Sequence, residues 1–110
     1  MKIKQRSFFS GLPAARDREA FRVLQKEKGF RIERIVSRGQ ATPAGRWLCS
    51  KAAEWVIVLR GRARLLFKGT GKKLTLKAGD YVFIPGGTCH RVDWTVPGRR
   101  TVWLAVHGAF

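Results

Sequence analysis

Short apolar runs, cut at near-regular intervals by glycine or proline, make up the chain after Gly29. The runs are five to seven residues long and are rich in β-branched or aromatic residues. Turn-forming residues such as Gly61 and Pro97-Gly98 lie between them. This pattern predicts an all-β sandwich or barrel. The predicted strands cover residues 31–37, 46–50, 54–60, 62–67, 72–77, 80–85, 90–95 and 101–106.

The segment before Gly29 has a different pattern and predicts one short helix. Its apolar residues between Ala20 and Leu24 are spaced like the stripe of an amphipathic helix. Asp17 is a suitable N-cap, and Gly29 is a suitable end. We therefore predict two parts in a single domain, as expected for 110 residues. They are an N-terminal arm with a short helix (residues 1–29) and a β-barrel (residues 30–110).

Strand alternation brings an acid and an imidazole to the inner face of the predicted barrel. In the strand 90–95, His90 lies opposite the charged Arg91 and Asp93, so His90 should point inward. Glu54 begins a strand that is apolar on both sides. A carboxylate at such a position is costly unless it has a partner. The sequence therefore predicts that Glu54 and His90 face one interior cavity.

The charge is strongly basic, with 23 Lys and Arg against seven acidic residues and a net charge of +16. Such a field attracts polyanions. The excess is spread along the chain, however, and no nucleic-acid-binding motif is present, so nucleic acid is not the favoured partner.

The longest apolar run, from Trp55 to Leu59, is too short to span a membrane. With two cysteines and no export segment, the sequence predicts a cytoplasmic protein without a Cys49–Cys89 disulfide.

Two segments have a distinctive spacing. The first is a glutamate, six residues and a glycine, from Glu54 to Gly61; the second is Gly79-Asp-Tyr-Val-Phe-Ile-Pro-Gly-Gly-Thr-Cys-His90. Together they resemble the two motifs of the cupin superfamily (RmlC-like proteins), and nearly the whole chain is similar to small bacterial cupins without an assigned function. The resemblance implies a double-stranded β-helix, or jelly-roll, barrel. It also implies a homodimer, for which Ile3, Phe8 and Phe9 are available apolar residues.

The cupin pattern implies a metal site that this sequence retains only in part. In that pattern two histidines precede the glutamate of the first motif, and a fourth ligand is the histidine of the second. Trp47 and Cys49 occupy the two early positions here, so the remaining set is Cys49, Glu54 and His90. These three could hold one divalent metal (Zn, Fe, Mn or Ni). The alternative is that no metal binds, Cys49 is a small buried residue, and His90 hydrogen-bonds Glu54.

Two functions follow from this set of residues, and the sequence does not decide between enzyme and binding protein. In the first, Glu54 and His90 are catalytic, with a metal or as a proton-transfer pair acting on a small molecule. In the second, the pocket binds a sugar or an anion without turnover. The sequence assigns no function to Cys89, which should point away from His90, or to His107 near the chain end. The aromatic residues predicted to line the pocket are Trp47, Tyr81, Phe83 and Trp94.

Overall fold

The computed structural model describes residues 1–108, which form two antiparallel β-sheets packed around one core. The larger sheet has the strand order β1-β2-β8-β3-β6, and the smaller has the order β5-β4-β7. This arrangement confirms the all-β fold and agrees with a jelly-roll barrel. The strands are β1 (Ala20–Glu27), β2 (Phe30–Ser37), β3 (Ala53–Arg60), β4 (Arg62–Phe67), β5 (Lys73–Lys77), β6 (Tyr81–Ile84), β7 (His90–Thr95) and β8 (Thr101–Gly108).

The predicted N-terminal helix is wrong, because the segment forms strand β1 at the edge of the larger sheet. The pairing of β1 with β2 skips Leu24, since Val23 pairs with Glu33 and Gln25 pairs with Ile32. A bulge of this kind adds one residue to the two-residue alternation of a strand. The apolar spacing therefore imitates a helical stripe.

Residues 1–108 contain no helix that is long and apolar enough to span a bilayer.

The predicted strand over residues 46–50 is not formed either. Only Leu48 makes a ladder contact: its backbone N–H donates to the His90 oxygen at 2.7 Å, and the His90 N–H donates back at 3.0 Å. The segment crosses the start of β7 as a loop. The other seven predicted strands are present, and β4 and β7 have the predicted bounds.

The core lies between the inner faces of the two sheets, where alternate residues of each strand meet. This is the burial pattern expected of a sandwich whose outer faces meet solvent. The buried apolar cluster consists of Val56, Val58, Ala63, Leu65, Leu76, Ile84, Trp103 and Ala105.

Arginine side chains hold the N-terminal arm against the larger sheet. The Arg34 guanidinium, which is buried, donates to the backbone oxygens of Phe8 and Ser10, both at 2.9 Å. Arg100 donates to the Pro13 oxygen at the same distance. Because each arginine satisfies carbonyls that have no strand partner, the arm has a defined path across the sheet. The predicted boundary after residue 29 falls in the turn between β1 and β2.

Candidate functional site

The structure brings Glu54 and His90 together, as the sequence predicts. Glu54 lies near the start of β3 in the larger sheet, and His90 begins β7 in the smaller sheet. Glu54 Oε1 is 3.4 Å from His90 Nε2, and the two side chains are 20% and 11% exposed. The pair therefore joins the two sheets at one end of the barrel, where an N–H of the imidazole can donate to the carboxylate.

Two further residues, which sequence reasoning missed as functional candidates, extend this pair into a chain of four. His107 pairs directly with Glu54 across the β3–β8 ladder. Its Nδ1 is 3.3 Å from Glu54 Oε2, and its Nε2 is 3.3 Å from Oε1 of Glu33. The signal was available, because His107 shares its strand face with the buried Trp103 and Ala105. The contact of His107 with Glu54, however, depends on the pairing of β8 with β3, which the sequence does not display.

The two imidazoles have different hydrogen-bonding environments. His107 contacts a carboxylate through each of its nitrogens, and only the protonated ring can donate to both at once. His90 contacts a carboxylate through Nε2 alone, and its Nδ1 is buried without a partner among the described residues. In the neutral ring that donates from Nε2, Nδ1 is an acceptor. His90 is therefore the member of the chain with a nitrogen that no described residue satisfies.

An interior groove lies beside these residues. An inner cavity of about 250 Å³ and an outer cavity of about 430 Å³ share Glu54 and His90 in their walls. The outer cavity lies within the range of about 300–1,000 Å³ that is typical of small-molecule sites, and the inner cavity is slightly smaller. The remaining shared wall is apolar and consists of Phe21, Ile35, Leu48 and Ile84.

Two of the four aromatic residues predicted to line the pocket face away from it. Tyr81 and Phe83 are 65% and 50% exposed, and they lie on the outer face of β6 beside Trp55. Val82 and Ile84 occupy the inner face instead. The prediction was wrong because both phases of this strand are apolar, so alternation alone does not say which one points inward.

A bulge explains the error at Trp94. Trp94 pairs with Arg64 and Val92 pairs with Leu65, so Asp93 is an extra residue in β7. Beyond the bulge the alternation is reversed, so Thr95 is buried. Trp94 lines a separate surface depression with Arg62, Val96 and Arg99. Of the predicted aromatic residues, Trp47 alone lines the groove, at its outer end.

The two cysteines form a disulfide, with their Cα atoms 4.4 Å apart, so the prediction of unlinked cysteines does not describe this structure. The bond lies next to the Leu48–His90 bridge and ties the loop over residues 46–50 to the start of β7. The Cys49 sulfur, which lacks a thiolate in this state, cannot act as a metal ligand.

The residues present do not fit a cupin metal site. Of the predicted ligands, Cys49 is bonded to Cys89, and the Glu54 oxygens each face an imidazole. No group of three or more His, Cys, Asp or Glu side chains in residues 1–108 is arranged to hold a metal ion.

Comparisons with known proteins identify the family of this chain. The cupin domain family model matches residues 39–107. The crystal structure of a protein named a "putative mannose-6-phosphate isomerase", from Ralstonia eutropha JMP134, is 40% identical. The match covers 98% of this chain and 100% of that one, with a TM-score of 0.92. No curated protein sequence matches the chain.

More distant structures share the fold alone. A cupin superfamily protein from Desulfitobacterium hafniense DCB-2 is 15% identical over 90% of this chain and 84% of that one, with a TM-score of 0.74. The polyketide cyclase RemF from Streptomyces resistomycificus is 22% identical over 84% of this chain and 66% of that one, with a TM-score of 0.69. At these identities the likeness says nothing of activity, since one fold serves many chemistries.

Proposed function

Because the chain belongs to the cupin domain family, we propose that its barrel binds a small hydroxylated molecule and that His90, oriented by Glu54, transfers a proton on it. The observation that carries the proposal is the 3.4 Å contact between carboxylate and imidazole on the wall of an interior cavity. A base that is oriented by a second group in this way is a common arrangement for proton transfer.

His90 and Glu54 have different parts in the proposed step. In the proposed step His90 is the neutral tautomer with its hydrogen on Nε2, which faces Glu54 Oε1 at 3.4 Å, and this leaves the Nδ1 lone pair to take a proton from the bound molecule. The imidazolium that forms is stabilised by the Glu54 carboxylate. The second contact of Glu54, with His107 Nδ1, limits the rotation of the carboxylate. Glu54 and His107 are thus positioning residues for the His90 base.

The reaction that we propose is the isomerisation of a hydroxy-carbonyl compound, in line with the name of the Ralstonia eutropha relative. His90 Nδ1 takes the proton from the carbon next to the carbonyl group, and the electron pair of that bond stays on the ligand as an enediolate. The His90 imidazolium, which can exchange this proton with solvent, then protonates the neighbouring carbon, while the hydroxyl proton changes oxygen. No oxidant, reductant or further reactant is required.

Solvent exchange tests this step directly. Mannose 6-phosphate is incubated with the protein in D2O, and the loss of the C2 proton signal is followed by NMR. We expect exchange by the wild type and a rate at least about 100-fold lower in His90→Gln and Glu54→Gln, which remove the base and the charge that stabilises it. Glu27→Gln, an equal change on exposed β1, should retain the wild-type rate.

The same experiment separates catalysis from binding. Wild-type exchange in Glu54→Gln would disprove the proton-transfer mechanism. A ligand that raises the melting temperature of the wild type and of Glu54→Gln equally, with no exchange in either protein, would establish a binding module instead.

We propose that this step needs no metal, since the donor set does not fit one. Elemental analysis after incubation with Zn²⁺, Fe²⁺, Mn²⁺ or Ni²⁺ should find no stoichiometric ion. One equivalent of metal that is absent in His90→Gln would contradict this expectation.

A further inference from the structure

Among residues 1–108, four buried side-chain polar atoms have no hydrogen-bond partner, and three of them belong to residues that line the groove. These three are Nε of Arg31, Nδ1 of His90 and Nε1 of Trp103. Arg31 lines the outer cavity, Trp103 lines the inner one, and His90 lines both. A buried polar atom without a partner destabilises the protein, so three such atoms beside one groove require a partner that the described residues do not supply.

The chemistry of the three atoms restricts what that molecule can be. Arg31 and Trp103 only donate hydrogen bonds, so both ends of the groove require acceptors. His90 Nδ1 accepts when Nε2 donates to Glu54, so the middle requires a donor. An oxygen of a hydroxylated ligand can accept from Trp103, and the acidic C–H group next to the ligand carbonyl supplies the proton for His90 Nδ1.

The outer end of the groove contains a guanidinium, that of Arg31, which has no acidic partner among the described residues. Glu33 and Glu54 line the outer cavity with Arg31, but their contacts are with His107 and His90. None of the ion pairs within residues 1–108 includes Arg31. A partly desolvated guanidinium without a carboxylate binds anions strongly, because its fork of N–H donors matches the oxygens of a phosphate or carboxylate.

We propose that Arg31 binds the anionic group of a small hydroxylated ligand, an oxygen of which accepts from Trp103 while its acidic C–H group faces His90 Nδ1. This inference rests on the proposed function and adds the substrate class to it, namely hydroxylated phosphates or carboxylates. Arg31 lies in β2 and pairs with His107 of β8, so its position is set by the same ladder that positions the proton-transfer residues. The position of the proposed anion-binding side chain is thus fixed by the pairing of β2 with β8.

Titration calorimetry with the full chain tests the assignment, with mannose 6-phosphate, gluconate and neutral mannose as probes. We expect one of the two anions to bind at least about tenfold more tightly than mannose. A preference for mannose 6-phosphate identifies the group as a phosphate, and a preference for gluconate identifies it as a carboxylate. Arg31→Gln should lose this preference, whereas Arg31→Lys should keep part of it.

Arg60→Gln is the matched control, since it makes the same change of net charge at an exposed position at the end of β3. It should bind the anion like the wild type. Equal binding of mannose and both anions, an equal effect of Arg31→Gln and Arg60→Gln, or no binding of any probe up to about 10 mM would overturn the proposal. Glu54→Gln keeps Arg31, so a loss of exchange with retained anion binding separates this proposal from the proton-transfer mechanism.

Discussion

Asp93 shows how one residue changes the face that its neighbours present. As the bulge residue of β7, it moves Trp94 to the outer surface, and its own carboxylate contacts two basic side chains. Asp93 Oδ1 lies 2.8 Å from Arg64 Nε, and Oδ2 lies 3.8 Å from Lys73 Nζ. Because both partners lie on the smaller sheet, the carboxylate joins β7 to β4 and β5.

We expect Asp93→Asn to lower the free energy of unfolding by about 1–2 kcal/mol, since it weakens a charge-assisted hydrogen bond at a side chain that is only 10% exposed. Asp80→Asn is the control: Asp80 is more exposed, and an amide oxygen can still accept its bond from the Lys77 N–H. Its effect should be below about 0.5 kcal/mol. Urea denaturation measures both, and equal losses would contradict the role given to Asp93.

At the scale of elements, the site depends on how a loop and two strands from different sheets are held together. The loop over residues 46–50 covers one side of the groove with only two backbone hydrogen bonds to β7, at Leu48. The Cys49–Cys89 disulfide adds a covalent link beside them. Its two cysteines are 40 residues apart, so it closes a long loop of the unfolded chain.

Removal of this link should therefore destabilise the protein. By the loop-entropy estimate for 40 residues, Cys49→Ser with Cys89→Ser should lower the free energy of unfolding by about 4 kcal/mol. The wild type in excess dithiothreitol should lose a similar amount, and the double variant should not respond to the reductant. Equal stability of the oxidised and reduced wild type would contradict a structural role. The cytoplasmic location predicted from the sequence would keep both thiols reduced.

On the scale of the whole molecule, strand β1 is one of the two edges of the larger sheet. It pairs with β2 on one side only, and Phe21, Val23 and Leu24 are exposed. A free edge of eight residues with apolar side chains can pair with another strand. The homodimer implied by the resemblance stays a prediction, and β1 offers a surface for it.

Light scattering after gel filtration measures this association. We expect a dimer for the wild type and a monomer for Leu24→Lys, because a lysine on the edge opposes strand pairing. Ala78→Lys adds the same charge in the exposed turn before β6 and should stay dimeric. A monomeric wild type at high concentration would exclude the dimer.

The net charge of +16 also belongs to the whole molecule. We expect weak oligonucleotide binding at low ionic strength that disappears at about 150 mM salt, because scattered lysines and arginines attract phosphates only through a screened field. Filter binding across a salt series measures it. Binding that persists at about 150 mM would instead indicate a nucleic-acid site.

The local sequence predicts most of the fold and the central pair of the site. Runs such as 62–67 and 90–95 have one apolar phase and clear turn residues at their ends, so their bounds were predicted correctly. His90 was found because alternation with the charged Arg91 and Asp93 leaves it one inward direction, and Glu54 because a carboxylate in a strand that is apolar on both faces requires a partner. The error at Ala20–Glu27 has a local cause as well, since a bulge at Leu24 shifts the alternation within the strand.

The sequence by itself thus determined the β architecture and the acid and imidazole in the barrel, because both depend on a periodicity of two residues within single strands. Only the tertiary structure decided that His107 and Glu33 join them and that Arg31 lies in the same wall. These residues meet through the pairing of β2, β8 and β3, which are far apart in the chain. Register between distant strands is set by the whole core and by the bulges, which no single segment encodes.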